Sequence, residues 1–212
     1  MLQLIYKDFK LAIHPLYYLV PLMGALVLIP EWVYFVSLMY FFFITIPNVF
    51  ANAKAQNDIS FSVLMPVRKR DVVGARIASM IILELIQIII TALFCIINLA
   101  IYSRQNSLID PNMAFIGFVF IMYGIFNLVF FPMFYKTAYK IGLPIICAMT
   151  SALVFSAAVE AAMLLLPAAR ILDTRQVNAA QSITLVVGIA LFTLLSYTAY
   201  TISARRFERL DL

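Results

Sequence analysis

The sequence has little charge. Asp, Glu, Lys and Arg make up only 12% of the 212 residues, and 65% of the residues are hydrophobic. Soluble domains carry about 25% charged residues, so this chain could not cover its apolar side chains in water. The bilayer is therefore the expected solvent. The net charge of +5 comes from short basic clusters at the ends of apolar runs, which is typical of topology signals. A nucleic-acid groove needs a continuous basic surface, so we expect no nucleic-acid partner.

Histidine and cysteine are also scarce. His14 is the single histidine, and the two cysteines, Cys95 and Cys147, both lie inside apolar runs. One histidine and two distant cysteines cannot form a zinc site, and we expect no metal. The cysteines are interpreted as buried small apolar side chains.

The motifs of nucleotide binding and of common hydrolases are missing. The sequence contains no GxxxxGK[ST], no GxSxG and no HExxH, so we assign no catalytic residue and no cofactor to this chain. It also has no internal repeat, no Gly/Ser linker and no sign of a second domain. We therefore expect residues 1–212 to form a single transmembrane domain.

Long apolar runs are what the sequence does have. A membrane-spanning helix needs about 20 mostly apolar residues, and the runs predict an all-α membrane protein with six transmembrane helices. The expected spans are about 16–29, 32–50, 73–102, 113–134, 141–166 and 182–203. Residues 1–14 place apolar side chains near helical spacing between charged ones, which predicts an amphipathic helix on the membrane surface.

The basic residues predict the orientation. If the N-terminus is cytoplasmic, six spans place twelve of the fifteen Lys and Arg residues on the cytoplasmic side. The three that face outward are then Arg104, Arg170 and Arg175. Because cytoplasmic loops carry the excess of Lys and Arg, we expect both termini to be cytoplasmic.

Two carboxylic acids, Glu84 and Glu160, lie inside expected spans. Ionisable groups in hydrocarbon are costly and face protein or water-filled cavities. The candidate intramembrane polar site comprises Glu84, Gln87, Asn98, Asn127 and Glu160. Two interpretations stay open for it, a polar site on a transport or proton pathway and a set of hydrogen bonds between helices. An intramembrane enzyme that uses Glu84 is a further hypothesis.

The polar stretch between the second and third spans differs from the other loops. Asp58 or Ser60 could cap a short helix, which Pro66 would end or redirect. A basic run, residues 68–70, then precedes the apolar run. The basic run alone is typical of a span anchor. The length of the stretch, and its apolar residues Phe61 and Leu64 on the cytoplasmic side, favour a docking surface for a soluble partner.

The order of these parts resembles the small ABC-2 type transporter permeases of bacteria. A surface helix and two spans precede a loop that contains SVLMPVRKRDVVGARI, and four spans follow it. The specific likeness is the step 65–67 (Met-Pro-Val), the basic run 68–70, Asp71 with its following valine, and Arg76 where a lysine is common. The chain departs from the family at 52–54, because Asn-Ala-Lys stands where an acidic pair is frequent.

The resemblance implies a permease without its own ATPase. A second permease subunit would pair with it as a homodimer or heterodimer, and two separate ABC ATPase subunits would bind ATP and Mg. The loop is similar to the family's coupling helix, which contacts the ATPase. Its expected contact residues are Asp58, Ser60, Phe61, Leu64, Pro66, Val67, Arg68, Lys69, Arg70 and Asp71.

The resemblance also implies a role and a location. Such permeases export amphipathic peptides, antimicrobial peptides or lipid-like molecules, and they lie among the lipids of the bacterial cytoplasmic membrane. The alternative is a membrane protein of the same topology that transports nothing, such as an accessory or assembly subunit.

Overall fold

The chain folds almost entirely into helices. The computed structural model describes residues 2–13, 15–56, 67–102, 106, 108–137 and 140–209, and these residues contain no β-strand. Among these described residues, five helices are long and apolar enough to cross a membrane. They are α2 (Tyr34–Ala55), α3 (Lys69–Ile101), α4 (Met113–Phe134), α5 (Gly142–Leu165) and α6 (Ala179–Glu208).

The N-terminal region is less regular. Helix α1 (Leu2–Lys7) continues as a π-helical turn, Asp8–Ala12, and the chain then runs through 3₁₀ helices at Pro15–Tyr18 and Val20–Leu28. The two halves, Leu2–Lys10 and Pro15–Leu28, meet at 105° and can form a broken span or a re-entrant loop. The prediction of six spans is therefore confirmed in part, with five helices and a sixth span only if this bent pair counts as one.

The apolar stretch expected to form the first span, 16–29, is 3₁₀-helical and not α-helical. A 3₁₀ helix rises about 2.0 Å per residue, so residues 15–28 can reach about 28 Å. An α-helix of that length reaches only about 21 Å, which is short for a hydrocarbon core of about 30 Å. The extended form suits a segment that is too short to cross as an α-helix. The surface position predicted for 1–14 stays a prediction.

Helix α2 changes its winding in the middle. Residues Phe41–Thr45 form a π-helical turn between α-helical parts, and Pro47 follows two residues later. Because proline has no N–H and clashes with the preceding turn, the widened turn accommodates it.

The core between α2 and α4 is aromatic. Phe42 stacks on Phe126 with ring centroids 3.8 Å apart, and Phe50 packs edge to face on Phe134 at 4.6 Å. Phe41 and Phe42 are fully buried, whereas Phe43 is 61% exposed. The consecutive phenylalanines therefore serve both internal packing and the outer surface of the bundle.

Helices α4 and α6 cross in backbone contact. A Cβ on Gly117 would lie 2.6 Å from the carbonyl oxygen of Thr184, and a Cβ on Gly188 would lie 2.8 Å from backbone carbon atoms of Gly117. Any side chain at either position would separate the helices. Small residues of this kind allow close helix packing in membranes, and this crossing is where α4 and α6 are joined.

The loops at one end of the bundle are fixed by side chains that bond to backbone, and we call this region the linker end (Asn106, Leu108–Asn112 and Leu166–Gln181). Asn112 caps α4 by accepting from the N–H of Phe115 at 3.0 Å, and Asn178 caps α6 by accepting from the N–H of Gln181 at 2.8 Å. The Asn112 amide also donates to the carbonyl oxygens of Leu172 and Thr174. Both caps satisfy N–H groups that helices leave free.

Candidate functional site

The predicted coupling segment is described only in its second half. Asp58, Ser60, Phe61, Leu64 and Pro66 lie outside the described residues. Val67 lies in a bend, Arg68 is the extended N-cap residue of α3, and Lys69 is its first helical residue. Asp71 lies in the first turn, where an acid is favourable at the positive end of the helix dipole. The ATPase contact stays a prediction for all ten residues.

A buried ion pair fixes the N-terminal region to α3. The Nε of Arg76 lies 3.0 Å from Oδ2 of Asp8, and their side chains are only 7% and 4% exposed. The Arg76 guanidinium also lies 5.9 Å from the ring centroid of Phe50 on α2. Arg76, two helical turns after Arg68, therefore connects α3 both to the N-terminal segment that contains Asp8 and to α2.

A second ion pair joins α3 to α6 on the surface. The Nε of Arg70 lies 2.5 Å from Oε1 of Glu208, with side chains that are 55% and 39% exposed. Nearby, Arg206 donates to the carbonyl oxygen of Pro132 at 2.6 Å, which satisfies a carbonyl in the last turn of α4. We call this region the basic end (Arg68–Arg76, Pro132 and Ala204–Arg209).

Three polar side chains meet inside the bundle. The Asn127 amide on α4 donates to Oε2 of Glu84 on α3 at 2.9 Å and to Oγ of Ser196 on α6 at 3.2 Å. Glu84 and Asn127 are fully buried. Oε1 of Glu84 has no hydrogen-bond partner within the described part of the chain. The arrangement links three helices around one carboxyl group.

The other predicted polar residues of α3 have different partners. Gln87 donates to the carbonyl oxygen of Leu38 at 3.4 Å, which also accepts from the Tyr123 hydroxyl at 3.4 Å. Asn98 donates to the carbonyl oxygen of Val27 at 2.8 Å. The polar face of α3 therefore divides among α4, α2 and the N-terminal 3₁₀ segment, and it does not form one site.

Glu160, on α5, contacts the linker end. Its Oε2 accepts from the N–H of Ile109 at 3.1 Å, and the side chain is 8% exposed. Two aspartates lie in the neighbouring loops, where the N–H of Asp110 donates to Oδ1 of Asp173 at 2.7 Å. Burial raises the pKa of both Asp110 and Asp173, although Arg175, 4.0 Å from Asp110, opposes the rise for that residue.

Three residues that make contacts between helices are not indicated by the sequence pattern, namely Asp8, Ser196 and Tyr123. The helical spacing in residues 1–14 places Asp8 on the polar face of the predicted surface helix, yet Asp8 is buried against Arg76. Ser196 and Tyr123 carry no sequence signal of a contact between helices, because hydroxyl groups in apolar helices usually bond within their own helix. In the described part of the chain, no group of three or more His, Cys, Asp or Glu side chains could hold a metal ion.

Comparison with known proteins identifies the family. The model of the family described as ABC-2 family transporter protein matches residues 3–208, which is nearly the whole chain. No curated protein and no solved structure matches. The likeness inferred from the order of the spans and from the loop before α3 is thereby confirmed, and the chain is a membrane component of transport. The protein belongs to the ABC-2 family of transporter proteins.

Proposed function

We propose that this protein is the permease subunit of an ABC exporter that moves an amphipathic molecule, such as a peptide or a lipid-like compound. Two separate ATPase subunits drive it, and a second permease subunit completes the path through the bacterial membrane. The family supports the permease role.

The observation that carries the proposal is the set of connections at the basic end. The segment before α3 continues directly into that helix at Lys69. Arg76 then connects α3 to Asp8, and Arg70 connects it to Glu208 on α6. A force on the segment would therefore reach α3 and, through the buried Arg76–Asp8 pair, the turn that follows α1, as a coupling element requires.

The charges at this end suit a soluble partner on the cytoplasmic side. Arg70, Arg205 and Arg209 are exposed, as is the Arg68 N-cap. Exposed basic residues close to the predicted docking segment can steer an acidic surface toward it. The same residues agree with the orientation in which both termini are cytoplasmic.

The experiment is co-purification of the permease with the ATPase encoded beside it, together with the ATPase rate of the complex. We expect reversal of Arg68, Lys69 and Arg70 to Glu, combined with Phe61→Ala, to abolish the complex. Lys136→Glu with Lys140→Glu, in the loop before α5, is the matched control and should leave the complex intact. If the first variant assembles and couples like the wild type, the coupling assignment is wrong. If no ATPase associates with the wild type, the accessory-protein alternative replaces the exporter.

A further inference from the structure

A cavity with a volume of about 290 Å³ lies where α3, α4 and α6 meet beside the linker end. Its walls are mostly apolar and include Ala92, Leu99, Ile116 and Leu185. An engineered apolar cavity of about 150 Å³ binds benzene. The present cavity is about twice that size, so it can hold an aromatic or branched apolar group together with one small polar group.

The apolar part of the cavity is short. Its lining runs from Gln181 to Leu185 on α6 and from Ala92 to Leu99 on α3. These stretches are about 6 Å and about 10 Å long along an α-helix. One membrane leaflet contributes about 15 Å of hydrocarbon, so an extended acyl chain is longer than the cavity. A single large apolar side chain matches its length.

Gln181 places an unused acceptor at the linker end of the cavity. Its side chain lines the cavity and is fully buried. Nε2 donates to the carbonyl oxygens of Thr174 at 2.6 Å and of Leu172 at 3.3 Å, which fixes the amide. Oε1 makes no hydrogen bond within the described residues. Because a buried acceptor without a partner is costly, the cavity favours a ligand that donates a hydrogen bond.

Arg175 supplies a donor beside that acceptor. It also lines the cavity, and it follows Thr174, whose carbonyl oxygen accepts from Gln181. Nη1 of Arg175 donates to the carbonyl oxygen of Tyr102. Nε lies 4.0 Å from Oδ2 of Asp110 and makes no hydrogen bond in the described part of the chain. Because Asp110 balances the charge of the guanidinium, this N–H favours a neutral acceptor over an anion.

A matching ligand is neutral and carries one donor, one acceptor and a short apolar group, as each apolar residue of a peptide does. From the cavity and the two unused groups that line it, we propose that it binds one apolar residue of a peptide. The side chain lies in the cavity, a peptide N–H donates to Oε1 of Gln181, and a peptide carbonyl accepts from Nε of Arg175. Naming this peptide as the cargo rests on the proposed function, whereas its binding does not.

The test is a fluorine NMR titration of the purified full chain in detergent, without an ATPase, with N-acetyl-para-fluorophenethylamine. This compound carries one secondary amide beside one aromatic group, and we expect the wild type to bind it saturably. Its N-methylated analogue has no N–H and leaves Oε1 of Gln181 without a partner. The analogue should therefore bind about tenfold more weakly. Equal affinity for the two compounds, or no binding of either, would overturn the proposal.

Substitutions in the wall locate the binding site. Ala92→Phe fills the cavity and should lower the affinity for the amide about tenfold or more. Ala78→Phe is the matched control, because Ala78 is a half-buried alanine of the same helix that lies outside this cavity. It should bind like the wild type. Leu99→Trp narrows the cavity from another turn of α3, gives the same loss, and replaces Ala92→Phe if that variant does not fold. Wild-type affinity in the folded variants would contradict the proposal.

Competition distinguishes a peptide from a lipid amide. N-acetyl-leucine methylamide should displace the fluorinated compound, whereas N-palmitoyl methylamine should not, because its chain is longer than the cavity. The reverse result would assign the cavity to a lipid and overturn the proposal. A permease that binds the peptide compound but recruits no ATPase would contradict the proposed function and leave this site standing. A permease that couples to its ATPase but does not bind the compound would contradict this site alone.

Discussion

The two ends of the bundle are held in different ways. At the linker end, amides of Asn112, Asn178 and Gln181 bond to backbone atoms of the neighbouring loop. At the basic end, the helices are joined by charged side chains, chiefly Arg76 with Asp8 and Arg70 with Glu208. Bonds to backbone and the buried Arg76–Asp8 pair fix one geometry, whereas the exposed Arg70–Glu208 pair can break and re-form in water at little cost. The difference indicates that α6 can move against α3 at the basic end, while the Arg76–Asp8 pair stays closed.

The largest effect is expected at the crossing of α4 and α6, two helices that extend to both ends of the bundle. Gly188→Leu would force α6 away from α4, because even a Cβ meets the backbone of Gly117. We expect the free energy of unfolding to fall by more than about 4 kcal/mol. Size-exclusion chromatography should then show no monodisperse protein. Gly142→Leu is the control, since a Cβ at that residue meets nothing within 4 Å. Normal behaviour of Gly188→Leu would show that the crossing does not hold the ends together.

The buried pair at the basic end comes next. Arg76→Ala leaves Asp8 buried without this partner, and breaking a buried ion pair costs about 3–5 kcal/mol. The free energy of unfolding in detergent measures the loss. Arg205→Ala, at an exposed arginine of the same end, should change stability by no more than about 0.5 kcal/mol. Equal effects of the two variants would remove the distinction between buried and exposed charges at this end.

The cluster between the ends distinguishes the two interpretations of Glu84. Glu84→Gln keeps an acceptor for the Asn127 amide, so we expect unchanged stability. Glu84→Leu removes the acceptor and should cost about 1–3 kcal/mol. Transport by the complex, measured in vesicles, gives the second readout. A stable Glu84→Gln protein that no longer transports would favour the pathway interpretation over helix packing.

At the linker end the expected effects are smaller. Asn112→Ala removes the cap of α4 and the two bonds to the 166–178 loop, and a lost cap costs about 1 kcal/mol. Asn112→Asp keeps the cap acceptor but cannot donate to Leu172 and Thr174. The midpoint temperature of its thermal unfolding should therefore lie between those of the wild type and Asn112→Ala. An Asn112→Asp protein as stable as the wild type would show that the loop bonds contribute nothing.

The smallest effect is that of pH on the linker end. Burial raises the folded-state pKa of Asp110 and Asp173 above the unfolded value. In the pH range between the unfolded and the folded pKa, the folded protein therefore binds more protons than the unfolded chain. Stability must therefore rise as pH falls through that range, and it must decline as pH rises through the folded pKa. We expect thermal unfolding of the wild type to show this slope and Asp110→Asn to reduce it. A slope unchanged in Asp110→Asn would assign the effect to other carboxyl groups.

The sequence predicted the fold class and the family, because long apolar runs and clustered basic residues follow directly from the bilayer. It could not predict that Gln87 and Asn98 donate hydrogen bonds to different elements, α2 and the N-terminal 3₁₀ segment. The spacing places residues on a helix face, but it does not determine which element lies opposite that face. The burial of Asp8 depends on a contact 68 positions along the chain, which no local pattern contains.

Hydrogen–deuterium exchange of the permease, alone and in complex with its ATPase, tests the central claim most directly. The claim is that the ATPase docks at the basic end while the linker end keeps its geometry. We predict slower exchange in peptides covering 54–76 and 203–209 on complex formation, with no change at 106–112 or 172–181. Protection at the linker end, with none at the basic end, would contradict the account.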